Sequence, residues 1–485
     1  MKHLSPRYKL PSRRYFSDTA LPELFERVSS HIHKLLDGTK SPVSFTTDIW
    51  TSNVSLMSML SLTAQWLDDE FELHQVLLCC EECPGSHTAD NLRAKFDKML
   101  AEWKIDKKRV HVVLRDNARN MTKALDDGNL PSLPCMAHTL QLAVIEGLQS
   151  QRSITDAVAT GRRIVTHFKH SSLAYSKLHA IQEELGQPKK RLQQDVPTRW
   201  NSTFYMLQSL LEQKCALGLY ATEHELPAVL TTNQWGLIEN LLSILEPFEE
   251  LTKTISSSSA TAAVVIPEIT ALKRLLGRAA DTDRGVGTAK ATLLEAVQRR
   301  FKDIEKNPLY AVATAMDPRY KTCYFSAEVK DEVKRVLLNM LDTVDTSASK
   351  PTPDQPSGEP AAKRASQLLS VHAEILKESA SNEEERLLGS PSSVQLHRYL
   401  SELPIKRSED ETVNDVLKYW HENKTHYPAL APLAQAYLSA PCTSVDSERL
   451  FSLASNVIDE KRNRLSGEKA EMLLFVKKNL PLMVK

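Results

Sequence analysis

The spacing of hydrophobic residues in the stretch 43–114 changes between strand-like and helix-like several times. The resulting order of elements constrains the fold more than any other feature of the sequence. Segments rich in β-branched and aromatic residues predict three strands, at 43–50, 56–67 and 71–80. Helical spacing then follows a cap at Thr88. The apolar run 109–114 predicts a fourth strand, buried on both faces. Three strands, a helix and a further strand predict an α/β core.

An acidic residue closes the first predicted strand and another closes the fourth. These residues are Asp48 and Asp116, which only folding can bring together. Two neighbouring carboxylates repel each other, so one of them takes up a proton unless a divalent cation lies between them. Oxygen ligands of this kind suit Mg²⁺ or Mn²⁺. The alternative for each aspartate taken singly is that it caps a turn.

After the α/β core, the spacing of apolar residues is helical over most of the chain. Residues 343–366 interrupt it, and their Ser, Thr, Pro and Asp content predicts a disordered linker. The predicted organisation is a lead-in at 1–40, the first part of the core at 41–149, an all-helical insertion at 150–400, and a C-terminal region at 401–485 that completes the core.

The final predicted helix, which follows a cap at Ser466, is apolar almost all round. Such a helix must be covered on two sides. Its own domain can cover one side, and a second subunit is a candidate for the other. We therefore predict a homodimer or a higher homo-oligomer, with contacts through Phe451, Leu473, Leu474 and Phe475.

Glu448 lies near the start of the preceding predicted helix, which Ser444 can cap. Small Ser452 lies four residues further on, amid apolar side chains. A carboxylate in this position is either an exposed first-turn acid that the helix dipole favours or a ligand that points into a site.

Sixty-one basic and sixty-one acidic residues cancel, so any binding of nucleic acid must come from local patches or a bound metal. No apolar run reaches about 18 residues, and we expect no membrane span. Seven scattered cysteines suggest a reducing compartment. The first residues show no signal-peptide core.

Four stretches of the chain carry motifs that resemble those of hAT-family transposases and of the zinc finger BED domain-containing proteins derived from them. They lie at 44–52, 114–142, 196–203 and 415–480. The motifs include Thr-Thr-Asp-Ile-Trp-Thr-Ser around Asp48, Asp-Asn-Ala from Asp116, and Ser-Glu-Arg around Glu448. The family usually has Pro at Asp446 and Gly at Ser455.

This resemblance implies an α/β, ribonuclease H-like core interrupted by a large all-helical insertion, with a helical hAT C-terminal dimerisation region. It implies that Asp48, Asp116 and Glu448 form the catalytic and metal-binding acids of a DDE-type DNA transposase. Mg²⁺ or Mn²⁺ is the cofactor expected if the protein is active. Two such ions could activate the attacking oxygen and stabilise the leaving oxygen in phosphoryl transfer.

Two cysteine motifs have spacing that also occurs in zinc sites. Cys135 and His138 are one helical turn apart, but no second pair of ligands is evident, and the resemblance suggests an architectural or DNA-contacting element. Cys80 and Cys83, followed by His87, lack a fourth ligand and are better interpreted as core cysteines. Zinc is not expected. The N-terminal BED finger of the family is missing from this sequence, which is therefore either truncated or that of a family member without its sequence reader.

Arg199 and Trp200 also match a family motif, and the basic residues Lys189, Lys190 and Arg191 lie just before it. Trp200 could stack on an unpaired base while Arg199 holds a phosphate. We therefore predict that Trp200 is partly exposed beside the acids. The alternatives are a core tryptophan and, for the three basic residues, a solvated loop or a nuclear-import signal.

Two functions are compatible with these features. The first is a domesticated, nuclear, DNA- or chromatin-associated dimer that acts in transcription regulation. The second is an active, metal-dependent DNA transposase. The intact acids favour the enzyme, whereas the missing finger and the altered flanks of Glu448 favour domestication or a defective copy.

Overall fold

The computed structural model describes residues 11–52, 57–257, 260–342, 367–379, 390–405, 413–457 and 465–483. The predicted linker at 343–366 lies outside these ranges. The strands are β1 (Val43–Thr51), β2 (Ser58–Leu67), β3 (Leu73–Glu82), β4 (Val110–Arg115) and β5 (Ser132–Pro134). No helix in the described part is long and apolar enough to cross a membrane.

The strands form one sheet in the order β3-β2-β1-β4-β5. Strand β2 is antiparallel to both β1 and β3, whereas β4 is parallel to both β1 and β5. The first four strands are those that the sequence predicts. Strand β5 was not predicted, because three residues are too short for a periodicity signal.

Helices cover both faces of the sheet, and most of the remaining chain packs helix on helix. The helices nearest the sheet in sequence are α1 (Arg13–Tyr15), α2 (Leu21–Gly38), α3 (Ala89–Glu102), α4 (Arg119–Asp127) and α5 (Met136–Gln149). The next are α6 (Arg152–His170), α7 (Ser172–Glu184), α8 (Trp200–Glu212), α9 (Lys214–Glu223), α10 (Thr232–Ile255), α11 (Val265–Leu276), α12 (Gly287–Arg300), α13 (Pro308–Met316), α14 (Ala327–Asp342), α15 (Gln367–Ser379) and α16 (Pro391–Ser401). The last are α17 (Val413–Asn423), α18 (Ala431–Leu438), α19 (Val445–Val457) and α20 (Gly467–Asn479).

Strand β4 is buried on both faces, because it separates two apolar cores. Val112 and Leu114 belong to the large core of the helical insertion. Val113, which points to the opposite face, belongs to the core that α2 and α3 form with the sheet. The continuous apolar run of β4 thus follows from its position in the centre of the fold.

Helix α20 packs against β3, α2 and α19 of its own chain. Leu474 and Phe475 are completely buried, and the ring of Phe475 lies 4.7 Å from that of Phe25 on α2. Phe451 is 5% exposed and belongs to the core between the sheet and the C-terminal helices. The prediction that these three residues form the subunit contact is therefore wrong for the chain as folded here. Helix α2 of the same chain covers the part of α20 that we predicted a second subunit would cover. Leu473, in contrast, is only half-buried.

Asn479 forms hydrogen bonds with the backbone of β3, the strand at one edge of the sheet. Its amide accepts a hydrogen bond from the Leu77 N–H (2.9 Å) and donates one to the Leu77 carbonyl oxygen (2.8 Å). Asn479 is 1% exposed, and Leu77 lies where the pairing of β3 with β2 shifts register. The side chain therefore replaces a missing neighbouring strand and satisfies buried backbone groups.

Replacing Asn479 by Ala should lower the free energy of unfolding by about 1–3 kcal/mol, because it leaves a buried N–H and a buried carbonyl unpaired. Urea denaturation measures the change. Asn91→Ala is the matched control, since Asn91 donates a hydrogen bond at an exposed site where water can replace it. Equal midpoints for the Asn479 variant and the wild type would contradict this role.

Candidate functional site

Asp48 and Asp116 lie on neighbouring parallel strands. Thr46 of β1 is paired with Leu114 of β4, and two further residues along each strand lead to Asp48 and Asp116. Side chains two residues apart point to the same face. Asp48 accepts a hydrogen bond from the Ile49 N–H (2.8 Å), and Asp116 accepts one from the Ala118 N–H (3.1 Å). The predicted adjacency of the two acids follows from the sheet order.

Glu448 is brought to the same face by the first turn of α19. Ser447, the residue before it, is completely buried, and its hydroxyl lies 3.2 Å from that of Thr46 on β1. One turn later, the ring of Phe451 stacks on that of Trp50 at 6.0 Å. Glu448 itself is exposed. Two contacts with β1 therefore hold this turn over the strand that carries Asp48.

The charges of Asp116 and Glu448 both influence the ionisation of Asp48. The pKa of Asp48 is raised to about 7, chiefly by burial and further by the charges of Asp116 and Glu448, although the Ile49 N–H lowers it. Near neutral pH this carboxyl is therefore only partly ionised. A cation at this position would relieve both the repulsion and the cost of burial.

The donor set fits a hard cation, because all three side chains offer carboxylate oxygens. Their oxygens do not all lie within 4.8 Å of one another. Among the described residues, such a cluster of three candidate ligands occurs at Asp68, Glu72 and His74, in the β2–β3 hairpin. A shared ion would therefore have to draw the Asp48, Asp116 and Glu448 side chains closer together.

Cys135 connects the start of α5 to the residue that precedes α19. It is completely buried at the start of α5, and its sulfur accepts a hydrogen bond from the Ser444 N–H (3.3 Å), just before α19. Burial is the main cause that raises the pKa of its thiol. This position supports the architectural alternative and excludes a direct DNA contact by Cys135, whereas His138 is exposed.

Trp200 lies in the helical core, and the prediction that its indole is partly exposed is wrong. It is 3% exposed, and its ring packs edge-on against those of Phe204 and Phe248. A large aromatic side chain at the start of α8 is more stable between apolar neighbours than in water. Base stacking by Trp200 in this conformation is excluded, while neighbouring Arg199 is exposed.

The basic residues before α8 lie on the surface. Lys189 pairs with Glu183 at 2.9 Å, and Lys190 pairs with Glu212 at 3.0 Å. The guanidinium of Arg191 lies over the ring of Tyr175, 5.3 Å from its centroid. The solvated-loop alternative describes these positions, and the surface pairs partly neutralise the charge that we predicted for DNA binding.

The cysteines of the second zinc-like motif are core residues, as the sequence favoured. Cys80 is completely buried and Cys83 is 2% exposed. His87 places a ring nitrogen 3.3 Å from the Cys83 carbonyl oxygen.

A buried polar face of the sheet was not predicted. Buried Ser44 and Gln65 both bind Ser439, which follows α18: its hydroxyl lies 2.9 Å from that of Ser44, and its carbonyl accepts from Gln65. Gln75 of β3 donates to Asp446 at 2.6 Å. Alternating polar residues within strands that are otherwise apolar are the signal that could have revealed this face.

Three family models match the chain. The ZBED1 RNase-like domain matches residues 46–130, the ZBED1 RNase-like helical domain matches residues 133–244, and the hAT family C-terminal dimerisation region matches residues 395–480. The first contains Asp48 and Asp116, and the last contains Glu448. These matches confirm the predicted RNase-like core with its helical extension.

Curated relatives match along nearly the whole chain. It is 30% identical over 497 residues to zinc finger BED domain-containing protein 4 of Homo sapiens, covering 100% of this chain and 41% of that protein. It is 26% identical over 517 residues to "Putative AC transposase" of Zea mays (98% and 61% covered). It is 26% identical over 501 residues to "Putative transcriptional regulator tpeD" of Talaromyces stipitatus (93% and 55% covered).

The chain thus spans about half the length of the curated relatives that it matches. The family models follow one another along it in the order core, helical domain and dimerisation region. This chain therefore belongs to the family of hAT transposases and zinc finger BED domain-containing proteins.

Proposed function

We propose that this chain is a DNA- or chromatin-associated, self-associating protein of the nucleus that is derived from a hAT transposase and acts in transcription regulation. Relatives named as a zinc finger BED domain-containing protein and as a transcriptional regulator support this role. The match of residues 395–480 to a dimerisation region supports self-association.

The observation that carries DNA association is an exposed rim formed by Arg199 and His138 at α5. The side-chain amide of Gln141 on α5 donates to the Thr198 carbonyl oxygen and accepts from the Trp200 N–H (3.3 Å). It thereby ties the loop of Arg199 to α5. His138 lies one turn before Gln141, on the same side of that helix. Arg199 and His138 are both exposed, so this rim can contact a phosphate backbone.

Arg199→Glu should weaken binding to duplex DNA about tenfold at low salt and reduce its salt dependence, because it removes a phosphate contact. Fluorescence anisotropy with a labelled duplex at several salt concentrations measures both effects. Lys302→Glu is the matched control, since it makes the same charge change at an exposed position on another part of the helical insertion. Equal effects of the two substitutions would show that only net charge matters.

The second candidate function is metal-dependent cleavage and joining of DNA strands, as in a DDE-type transposase. The electrostatic coupling of Asp48 with Asp116 and Glu448 supports it. These acids would hold Mg²⁺ or Mn²⁺, which would activate an attacking oxygen and stabilise the leaving oxygen of a phosphodiester. Their carboxylates would position the ions on the face of the sheet that the first turn of α19 contacts.

Asp116→Asn should abolish Mn²⁺-dependent cleavage of DNA that carries the ends of the parent element, because it removes a charged ligand with little change in shape. Gel analysis of end-labelled DNA measures cleavage and joining. If this variant cleaves as fast as the wild type, other residues or a contaminant are responsible. If the wild type binds DNA without cleaving it, the regulatory role stands alone.

A further inference from the structure

Two consecutive residues of α19 are attached to different strands of the sheet. Asp446 accepts a hydrogen bond from the Gln75 side chain on edge strand β3, at 2.6 Å. Ser447 meets Thr46 on β1, two strands away, with the hydroxyl oxygens 3.2 Å apart. Asp446 is 8% exposed and Ser447 is completely buried, so water competes little for either contact.

These two contacts fix the position of the next residue. Successive residues of an α-helix are rotated by about 100° around its axis, so attachment at two neighbouring residues sets the rotation of the whole turn. Asp446 contacts β3 and Ser447 contacts β1, which leaves Glu448 exposed at the rim of the sheet. From this position its charge acts on Asp48.

Both Gln75 and Asp446 have further polar neighbours. Gln75 also lies 3.3 Å from the Gln65 side chain, which in turn donates to the Ser439 carbonyl oxygen. Asp446 has further cationic neighbours, Arg449 at 3.6 Å and Lys478 at 3.8 Å. The amide of Gln75 therefore links a buried chain of hydrogen bonds to the turn that carries Glu448.

We infer that Gln75 and Asp446 form a positioning pair that fixes the place of Glu448 relative to Asp48 and Asp116, and thereby sets the affinity of this site for a divalent cation. The inference rests on the metal site of the proposed function. Residues that orient metal ligands without touching the ion typically change affinity 10–100-fold when they are replaced.

Gln75→Glu tests the pair, because it places a second carboxylate against that of Asp446. Calorimetric titration with Mn²⁺ alone should show at least about tenfold weaker binding than in the wild type. Adding Asp446→Asn should restore the affinity, since an amide and a carboxylate again face each other with their roles exchanged. Gln151→Glu, which alters a glutamine that donates to the Gly285 carbonyl oxygen in the helical insertion, is the control and should bind Mn²⁺ normally.

A metal-free measurement tests the orientation independently. In the wild type, Asp48→Asn and Glu448→Gln relieve the same repulsion, so their gains in unfolding midpoint at pH 8 should be less than additive. In the Gln75→Glu background the two gains should become additive.

The outcomes separate the two hypotheses. Failure of the wild type to bind Mn²⁺ would refute the metal site, whereas the midpoint cycle would still decide the orientation. Wild-type affinity in Gln75→Glu, a cycle that this substitution does not change, or a double variant that remains weak would overturn the positioning role.

Discussion

Asp48→Asn should make the metal-free protein more stable at pH 8 while abolishing the additional stabilisation that Mn²⁺ gives the wild type. The pKa of Asp48 is raised from 3.8 to about 7, chiefly by burial. The folded state therefore holds a proton that the unfolded chain has lost, and stability falls as pH rises from about 4 through 7. A difference of about three pKa units corresponds to up to about 4 kcal/mol. Asparagine is neutral at every pH and avoids this loss.

Thermal unfolding at pH 4, 6 and 8, with and without Mn²⁺, measures both effects. The two proteins should converge in stability towards pH 4, where Asp48 is protonated in the folded state and begins to be protonated in the unfolded chain. Below pH 6 the wild type should also respond weakly to Mn²⁺, since protons compete with the ion. A variant that Mn²⁺ stabilises as strongly as the wild type would exclude Asp48 as a ligand.

Glu471→Gln is the matched control for this experiment. The pKa of Glu471 is also raised to about 7, chiefly by burial, with the charges of Glu81 and Glu102 adding to it and those of Lys98 and Lys95 opposing it. Its substitution should likewise increase stability at pH 8. Because Glu471 is not one of the three site acids, Mn²⁺ should stabilise this variant as much as the wild type. The comparison separates relief of a buried charge from loss of a metal ligand.

Phe475→Ala should lower the free energy of unfolding by about 3–5 kcal/mol, because it removes a fully buried ring from a packed core. The ring lies 4.7 Å from that of Phe25 and 6.1 Å from that of Trp103, so the cavity would open between α20, α2 and the residue that ends α3. Urea denaturation measures the loss, and light scattering reports the oligomeric state.

Leu473→Asp separates folding from self-association. Leu473 is half-buried on the same helix, so a charge there should disturb a subunit contact more than the core. A stable monomer from Leu473→Asp, together with an unstable Phe475→Ala, would place the contact on the outer side of α20. A stable, monomeric Phe475→Ala with an unchanged midpoint would instead show that the buried ring serves the subunit contact.

The secondary structure of the core could be predicted because its signals are local. The alternation and apolar runs of β1 to β4 and the cap at Thr88, whose hydroxyl accepts from the Asn91 N–H, depend on neighbours in the chain. The same signals placed Asp48 and Asp116 at the ends of strands one and four, and the resemblance to a ribonuclease H-like fold, in which those strands are neighbours, placed the two acids side by side. Family motifs then added Glu448, which no periodicity connects to the sheet.

Burial depended on contacts between distant parts of the chain. Trp200 is covered by Phe248 of another helix, and Phe475 by Phe25, from the opposite end of the sequence. An apolar helix face predicts only that it will be covered. Whether the same chain or a second subunit covers it depends on the tertiary structure. The buried contact between Ser44 and Ser439 joins residues 395 positions apart. The residues near Ser44 in the sequence therefore gave no indication of which group its hydroxyl would bind. The succession of strands and helix was therefore predictable from residues 43–114, whereas the environment of each side chain arose when the C-terminal helices packed on the sheet.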